Sequence, residues 1–339
     1  MRAAVVGIGA VGSRVARQLA STPSVDELLL IDADAGRSAA GVSSIDDPQR
    51  VRQAPMPGLD GRLPSGLDVV VLALPPGRHL PVAERALEAG ASVVSTSDQV
   101  GDVRGLLGLD AEARERSLIV TVGAGFAPGL TCVLASHAAG TFDTVDEVHV
   151  AKGGTGGPSC ARQHHDALAG EALDWREGAW LRRRGGSGRE LCWFPDPVGS
   201  ADCYRAALPD ALLLVPAFPG VGRVTARVGA NRRDRFTARL PMLRRPHPEG
   251  GVGAVRVEVR GRRGSGRDVA VLGSMDRPGV AAGAVAAVAA AWIGGAQLGS
   301  PGSSGLAPRV AAVPFLAELA RRGVKAASFV GADAAQQPS

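Results

Sequence analysis

Lysine is rare in this chain, and one of its two lysines lies where a proton could be transferred. The 339 residues include 38 Lys and Arg, of which only Lys152 and Lys325 are lysine. Lys152 ends a predicted strand and precedes the glycine loop 153–157. A desolvated ammonium can lose its proton near neutral pH, whereas a guanidinium cannot. We therefore predict a catalytic role for Lys152, with an ordinary solvated lysine as the alternative.

Three histidines and one arginine are further candidates for chemistry. His164 and His165 lie on a helix predicted after the glycine loop, and neighbouring helical side chains point about 100° apart, so at most one faces a given cleft. His79 follows the paired prolines at the end of an apolar strand. We expect a catalytic role for one of these histidines and a carboxylate-binding role for Arg162. A polar surface helix is the alternative for the residues of that helix.

The element that must position these side chains is a dinucleotide-binding unit at the N-terminus. An apolar strand leads into Gly7-Ile8-Gly9-Ala10-Val11-Gly12, and a helical run and a second apolar strand then end at Asp32. In such a unit the glycines allow a sharp turn, approach of the pyrophosphate to the helix N-terminus and close helix packing. The acid lies where it can bind the adenosine ribose. The predicted cofactor-binding residues are Gly7, Ile8, Gly9, Ala10, Val11, Gly12, Asp32, Arg37, Leu74, Pro75, Pro76 and Ser97.

The choice between NAD and NADP depends on two of these residues. The carboxylate of Asp32 repels a 2′-phosphate and favours NAD. Arg37, five residues later, is instead suited to accompany that phosphate. We favour NAD and leave NADP open.

The order of predicted elements indicates two kinds of sheet. Up to the loop 123–130, apolar strands alternate with helices, which predicts a doubly wound parallel sheet, the α/β Rossmann fold. From residue 145 the strands alternate apolar and polar residues, which predicts a second α+β domain with a largely antiparallel or mixed sheet. We assign residues 1–130 to a cofactor domain, 131–276 to a substrate domain, and 277–339 to C-terminal helices with a frayed tail after Gly331. Gly299 to Gly305 is predicted to be a linker.

Composition excludes several classes of protein. Residues 1–150 contain 12 basic and 18 acidic residues, and residues 151–339 contain 26 basic and 15 acidic residues, for a net charge of +5. The basic pairs are scattered and lack interleaved aromatics, so we expect an acidic small molecule rather than nucleic acid. The four cysteines show no metal-binding spacing, and we expect no metal site. No run suits a membrane span and the first strand begins at once, so we expect a cytoplasmic protein.

Several segments resemble the saccharopine dehydrogenase and saccharopine reductase-like oxidoreductases. They are the N-terminal glycine motif, the paired prolines, Ala124-Gly-Phe-Ala-Pro-Gly-Leu130, Phe194-Pro-Asp-Pro-Val-Gly199 and Leu208-Pro209-Asp210 through Val215-Pro216. The chain departs from the family at Leu208-Pro209-Asp210, where family members often carry His-Pro-Glu. We transfer no catalytic residue from the family.

This resemblance implies NAD(P)-dependent chemistry on an amino-acid-derived amine or imine. It also implies a homodimer through the second-domain sheet and C-terminal helices that pack on the cofactor domain. The loop after the last strand of the first domain places Gly125 and Phe126 near the substrate, which we expect to be a small amine, imine or carbonyl compound bearing a carboxylate. A homoserine or aspartate dehydrogenase type of enzyme is one alternative. A non-catalytic nucleotide-sensing protein is another.

Overall fold

The secondary structure alternates between helices and short strands in the first third of the chain and is richer in strands afterwards. The structure, a computed structural model, describes residues 1–45, 47, 49–55, 62–242 and 245–329. The strands are β1 (Arg2–Val6), β2 (Glu27–Asp32), β3 (Val51–Pro55), β4 (Val69–Leu72), β5 (Ser92–Ser95), β6 (Ile119–Thr121), β7 (Thr144–Gly153), β8 (Glu171–Arg176), β9 (Ala179–Arg184), β10 (Glu190–Trp193), β11 (Ser200–Arg205), β12 (Arg223–Gly229), β13 (Gly253–Arg263), β14 (Gly266–Asp276), β15 (Gly302–Ser304) and β16 (Ala326–Ser328). The helices are α1 (Gly12–Ala20), α2 (Ala35–Ser43), α3 (His79–Glu88), α4 (Val100–Leu107), α5 (Asp110–Glu115), α6 (Leu130–Ala139), α7 (Pro158–Ala169), α8 (Asp210–Leu214), α9 (Arg232–Thr237), α10 (Pro278–Gly294) and α11 (Ala312–Arg321).

The first sheet is parallel throughout and has the order β15-β6-β5-β4-β1-β2-β3. Its central strands carry aliphatic side chains on both faces, and all four residues of β4 are fully buried. Burial on both faces is why such strands are apolar without alternation. The strand order reverses direction between β1 and β4, the place where open α/β sheets bind ligands at their carboxyl edge. The predicted Rossmann fold is confirmed.

The C-terminal part of the chain returns to this first sheet. Helix α10 consists mostly of Ala, Gly and Val and packs against α1, where a Cβ on Gly283 would lie 2.5 Å from the Cβ of Arg14. Only a glycine there allows the two helices to approach so closely. Trp292 of α10 meets Phe315 of α11 edge to face at 4.9 Å. The predicted return of the C-terminal helices to the cofactor domain is confirmed.

The segment Gly299 to Gly305, which was predicted to be a linker, contains a short strand. Residues Gly302 to Ser304 form β15, which pairs in parallel with β6 at the edge of the first sheet. The Ser303 amide also donates a hydrogen bond to Asp110 on α5. Three residues rich in Gly and Ser have little strand propensity of their own, so this strand exists because the edge of β6 offers it backbone partners.

The second sheet is mixed, as predicted. Its main order is β10-β11-β12-β7-β13-β14-β16, with β8 paired to β12 and β9 paired to β8. Within it β7 and β12 pair in parallel, and the other pairs are antiparallel. Alternate residues of β13, namely Val255, Val257 and Val259, are fully buried in the core that includes α6. The C-terminal end of β7 brings Lys152 to the boundary with the first sheet.

No helix of the described residues is long and apolar enough to cross a membrane. The predicted frayed tail lies outside the residues that the structure describes.

Candidate active site between the two sheets

The glycine turn after β1 is closed by contacts that only glycine permits. Gly7 has φ +95°, and a Cβ on it would lie 2.4 Å from the carbonyl oxygen of Ala73. A Cβ on Gly12 would lie 1.7 Å from the carbonyl oxygen of Gly7. Because these two positions carry no side chain, the turn packs closely on Ala73 and its own two ends approach each other.

Gly9 differs from these two glycines because it faces open space. A Cβ on Gly9 would meet no protein atom within 4 Å. Helix α1 begins three residues later, and its N-cap residue Val11 supplies no side-chain hydrogen bond to the first amides. The first amides of α1 thus have no side-chain partner, and the space in front of them is open. Such a helix N-terminus is suited to bind an anion such as a pyrophosphate. The residues present therefore fit the phosphates of a dinucleotide.

The acid at the end of β2 is tied to this turn. Asp32 Oδ2 accepts a hydrogen bond from the Ile8 amide at 2.6 Å, and Oδ1 accepts one from the Asp34 amide at 2.9 Å. Asp34 caps α2, and its carboxylate lies 3.5 Å from Arg37 Nε, with both side chains largely exposed. Arg37 is thus paired with a second acid near the predicted ribose position. Two carboxylates there oppose a 2′-phosphate.

The loops after β4 and β5 are joined to each other through Asp102. Its Oδ2 accepts hydrogen bonds from the Gly77 amide and from the hydroxyl of Ser97, both at 2.9 Å. The segment Leu74 to Pro76 is half-buried to exposed at this edge, whereas Ser97 is buried. The network fixes the edge of the sheet along which the rest of a dinucleotide would extend.

His79 has a structural position rather than the predicted catalytic one. Its ring is 1% exposed and lies inside the first domain. Nε2 donates to the carbonyl oxygen of Leu74 and Nδ1 accepts from the hydroxyl of Ser95, each at 2.9 Å. Burial lowers the pKa of the ring, so His79 is held neutral. With both nitrogens bonded to protein, it is not placed to exchange a proton with a substrate.

Lys152 is the side chain that connects the two sheets. It is 6% exposed, and its Nζ donates to Asp98 Oδ2 at 3.2 Å and to the carbonyl oxygen of Ala127 at 3.1 Å. Asp98 belongs to the loop after β5 and Ala127 to the loop after β6. An ammonium has three N–H donors, so one remains beyond these two bonds.

The charge state of Lys152 differs from the sequence-based prediction. Burial by itself lowers the pKa of the ammonium, as predicted. However, the negative charge of Asp98 and its hydrogen bond to the ammonium oppose burial, and the pKa is raised above its usual range. Lys152 is therefore a cation at neutral pH rather than a neutral amine.

Helix α7 places two more side chains near this ammonium. Cys160, in the first turn, is partly exposed, and burial followed by the charge of Asp98 raises its pKa to about 11. His164 lies one turn later, where burial and the charge of Lys152 lower its pKa to about 4. Its Nε2 donates to the carbonyl oxygen of Gly229 at 3.2 Å, while Nδ1 is buried without a partner. We call Lys152, Asp98, Cys160 and His164 the Lys152 cluster.

His165, the neighbour of His164, lies outside this cluster. His165 donates from Nε2 to the carbonyl oxygen of Leu240 at 2.8 Å. Arg162 is exposed to solvent. The structure thus brings one of the two adjacent histidines, His164, to the cluster and directs the other away, as helical geometry requires.

The loop before α6 forms another wall of the cluster. Gly125 and Phe126 are buried, and a Cβ on Gly129 would lie 2.2 Å from the carbonyl oxygen of Gly125. This tight turn aims the carbonyl of Ala127 at Lys152. Gly125 and Phe126 therefore shape the wall rather than present side-chain donors or acceptors to the cleft.

The glycine loop after β7 reaches the dinucleotide turn from the second domain. A Cβ on Gly157 would lie 2.7 Å from the Cβ of Ala10, and one on Gly156 would lie 3.1 Å from the amide of Gly279 at the start of α10. The loop is glycine-rich because three backbones meet here. Consequently Lys152 and the predicted pyrophosphate cradle lie at opposite ends of one short loop.

Asp98 is the functional candidate that sequence reasoning missed. It follows Ser97 in the polar loop at the carboxyl end of β5, where ligands bind in a parallel sheet, and that position was the available signal. Its pairing with a lysine 54 residues later was not visible in the sequence. Among the described residues, no group of three His, Cys, Asp or Glu side chains is arranged to hold a metal ion.

Comparison with known proteins agrees with this architecture. Residues 2–108 match the family described as semialdehyde dehydrogenase, NAD binding domain. The structure is similar to apo saccharopine dehydrogenase (L-Glu forming) from Saccharomyces cerevisiae, with a TM-score of 0.67, 14% identity, and coverage of 97% of this chain and 100% of that one.

Two other solved structures are similar over most of their length. Amine dehydrogenase from Mycobacterium smegmatis has a TM-score of 0.53 at 12% identity, covering 91% of this chain and 96% of that one. The C. glutamicum DAP dehydrogenase in complex with DAP has a TM-score of 0.50 at 16% identity, covering 94% and 95%. The resemblance seen in the sequence is confirmed at the level of the fold: the chain has the fold of saccharopine dehydrogenase, and residues 2–108 match an NAD-binding family.

Proposed function

We propose that this protein is an NAD(P)-dependent oxidoreductase that acts on an amino-acid-derived amine or imine bearing a carboxylate. The observation that carries the proposal is the contact between Lys152 Nζ and Asp98 Oδ2 at 3.2 Å. It joins the end of a second-domain strand to the carboxyl edge of the cofactor sheet. That edge is where the reactive end of a dinucleotide lies in this fold.

The cofactor would be held by the glycine turn. The open face of Gly9 and the uncapped start of α1 would take the pyrophosphate, and Asp32 would take the adenosine ribose. NAD is favoured over NADP because Asp34 adds a second carboxylate and pairs with Arg37. When bound, a nicotinamide supplies hydride transfer.

The protein would then orient the substrate and manage one proton. Lys152 Nζ has a donor left for a substrate nitrogen or oxygen, and its raised pKa keeps that proton in place at neutral pH. Asp98 balances the charge, and Ala127 fixes the direction of the ammonium. His164 and Cys160 line the same side without a charge of their own at neutral pH.

The nature of the substrate rests on charge and on the similar folds. The second part of the chain, residues 151–339, is strongly basic, which favours an anionic substrate. Exposed Arg162 on α7 is our candidate for its carboxylate. The two dehydrogenases of similar fold named for saccharopine and for amine make an amine or imine the first choice. We also propose that the chain forms a homodimer through the second-domain sheet.

A panel of substrate pairs tests this assignment. Purified protein is mixed with NADH or NADPH and with a 2-oxo acid, an amino acid, or both together, and absorbance at the nicotinamide band is followed. We expect oxidation of the cofactor only when both partners are present, because together they form an imine. Turnover with a lone semialdehyde or ketone would instead support a homoserine or aspartate dehydrogenase type. Tight cofactor binding without turnover on any pair would support a nucleotide-sensing protein.

A further inference from the structure

A buried acid next to the Lys152 cluster has no role in the function proposed above. Asp210 is the first residue of α8 and is 0% exposed. Its Oδ1 accepts a hydrogen bond from the hydroxyl of Thr131 at 2.9 Å. Its Oδ2 is buried and has no hydrogen-bond partner. An ionised carboxylate left so poorly bonded in the interior would be costly.

The groups around Asp210 favour its neutral form. Burial raises the pKa of this carboxyl, and the opposing attraction of the Lys152 ammonium is smaller. The neighbouring negative charge of Asp98 acts in the same direction as burial. Cys132 on α6 adds no charge, because burial raises the pKa of its thiol to about 12. The charged neighbours are thus one cation on β7 and one anion after β5.

We propose that Asp210 is a positioning residue that stays a protonated carboxylic acid and leaves Asp98 as the single carboxylate balancing Lys152. The inference rests on the proposed function in so far as Lys152 and Asp98 handle the substrate. Ionisation of Asp210 at alkaline pH would add a second negative charge next to the ammonium. That charge would hold the Lys152 proton more tightly and repel an anionic substrate, raising KM on the order of tenfold.

Asp210→Asn tests the protonation state without requiring activity. The variant retains the Oδ1 acceptor for Thr131 and mimics a neutral acid. A carboxyl whose pKa is raised on folding contributes stability that is complete below its unfolded pKa of about 4 and is lost as pH rises through the folded pKa. Wild type should therefore lose stability relative to Asp210→Asn as pH rises from about 4, measured by urea unfolding at several pH values. Asp166→Asn, at an exposed position on α7, is the control and should follow wild type at every pH.

Because the chain has two lysines, NMR of labelled lysine provides a second measurement. Labelling with ¹³C-lysine gives signals from two residues, and exposed Lys325 serves as the internal reference. We expect Asp210→Asn to leave the Lys152 side-chain signal unchanged at neutral pH, where Asp210 is protonated, and Asp98→Asn to shift it. If Asp210→Asn also shifts it at neutral pH, or if wild type gains stability over the Asn variant as pH rises, Asp210 is ionised and the inference is wrong.

The enzymatic readout separates this inference from the proposed function. If the enzyme turns over, the alkaline rise in KM should be present in wild type and absent in Asp210→Asn, a change that a purely structural role would not produce. A rise that persists in the variant would overturn the inference while leaving the proposed function intact. Absence of turnover would overturn the proposed function, and the unfolding and NMR results would still decide the state of Asp210.

Discussion

Replacing Gly9 with valine is expected to weaken NAD(H) binding by about 100-fold or more without loss of the fold. The new side chain would project into open space, since a Cβ there meets no protein atom within 4 Å. It would occupy the room through which a pyrophosphate reaches the first amides of α1. Losing two charge-assisted hydrogen bonds of about 1.5 kcal/mol each corresponds to roughly 100-fold in affinity. Calorimetric titration with NADH and NADPH measures the loss.

Gly251 provides a matched control for this substitution. It also has no protein atom within 4 Å of a built Cβ, and its φ lies outside the left-handed region. Gly251→Val should therefore bind the cofactor as wild type does, and both variants should unfold at the wild-type temperature. Unchanged titration of Gly9→Val by both nucleotides would contradict the placement of the cofactor on this turn.

Lys152→Met is expected to reduce kcat/KM by roughly 10²- to 10⁴-fold while NADH still binds. The substitution removes the ammonium that points from β7 toward the cofactor sheet but leaves the glycine turn untouched. Because the pKa of Lys152 is raised, wild-type activity should not show loss of this proton until well into alkaline pH. Steady-state rates with the active substrate pair, measured across pH, give both results.

Lys325, the other lysine of the chain, provides the control for Lys152→Met. Lys325 is exposed, and its backbone carbonyl, not its side chain, takes part in a hydrogen bond with Ser274. Lys325→Met should retain wild-type kinetics. Near-normal turnover by Lys152→Met would remove Lys152 from catalysis and leave Asp98 or His164 to be tested in its place.

The parts that could be predicted from sequence are those whose cause is local. The glycine at position 12 reflects a contact with Gly7 within one turn, and the uniformly apolar β4 reflects burial on both faces of a sheet. Both appear as short patterns in the chain. The mixed second sheet was visible for the same reason, because alternate residues of β13 face the core.

The parts that could not be predicted depend on residues far apart in the chain. Around Lys152 the sequence offers only glycine and apolar neighbours, which suggests a lowered pKa, yet Asp98 from another segment raises it. His79 follows two prolines at a ligand-binding edge, but α3 begins at this residue and its ring is buried. Strand β15 has no propensity signal and forms only because β6 has a free edge.

The structure of the complex with NADH and a non-reacting analogue of the substrate shows whether cofactor and substrate meet at Lys152. We expect the pyrophosphate at the amides that follow Gly9, and the analogue's nitrogen within hydrogen-bond distance of Lys152 Nζ while Asp98 still pairs with the ammonium. A cofactor bound away from the glycine turn would contradict this expectation. So would an analogue whose nitrogen lies out of reach of Lys152.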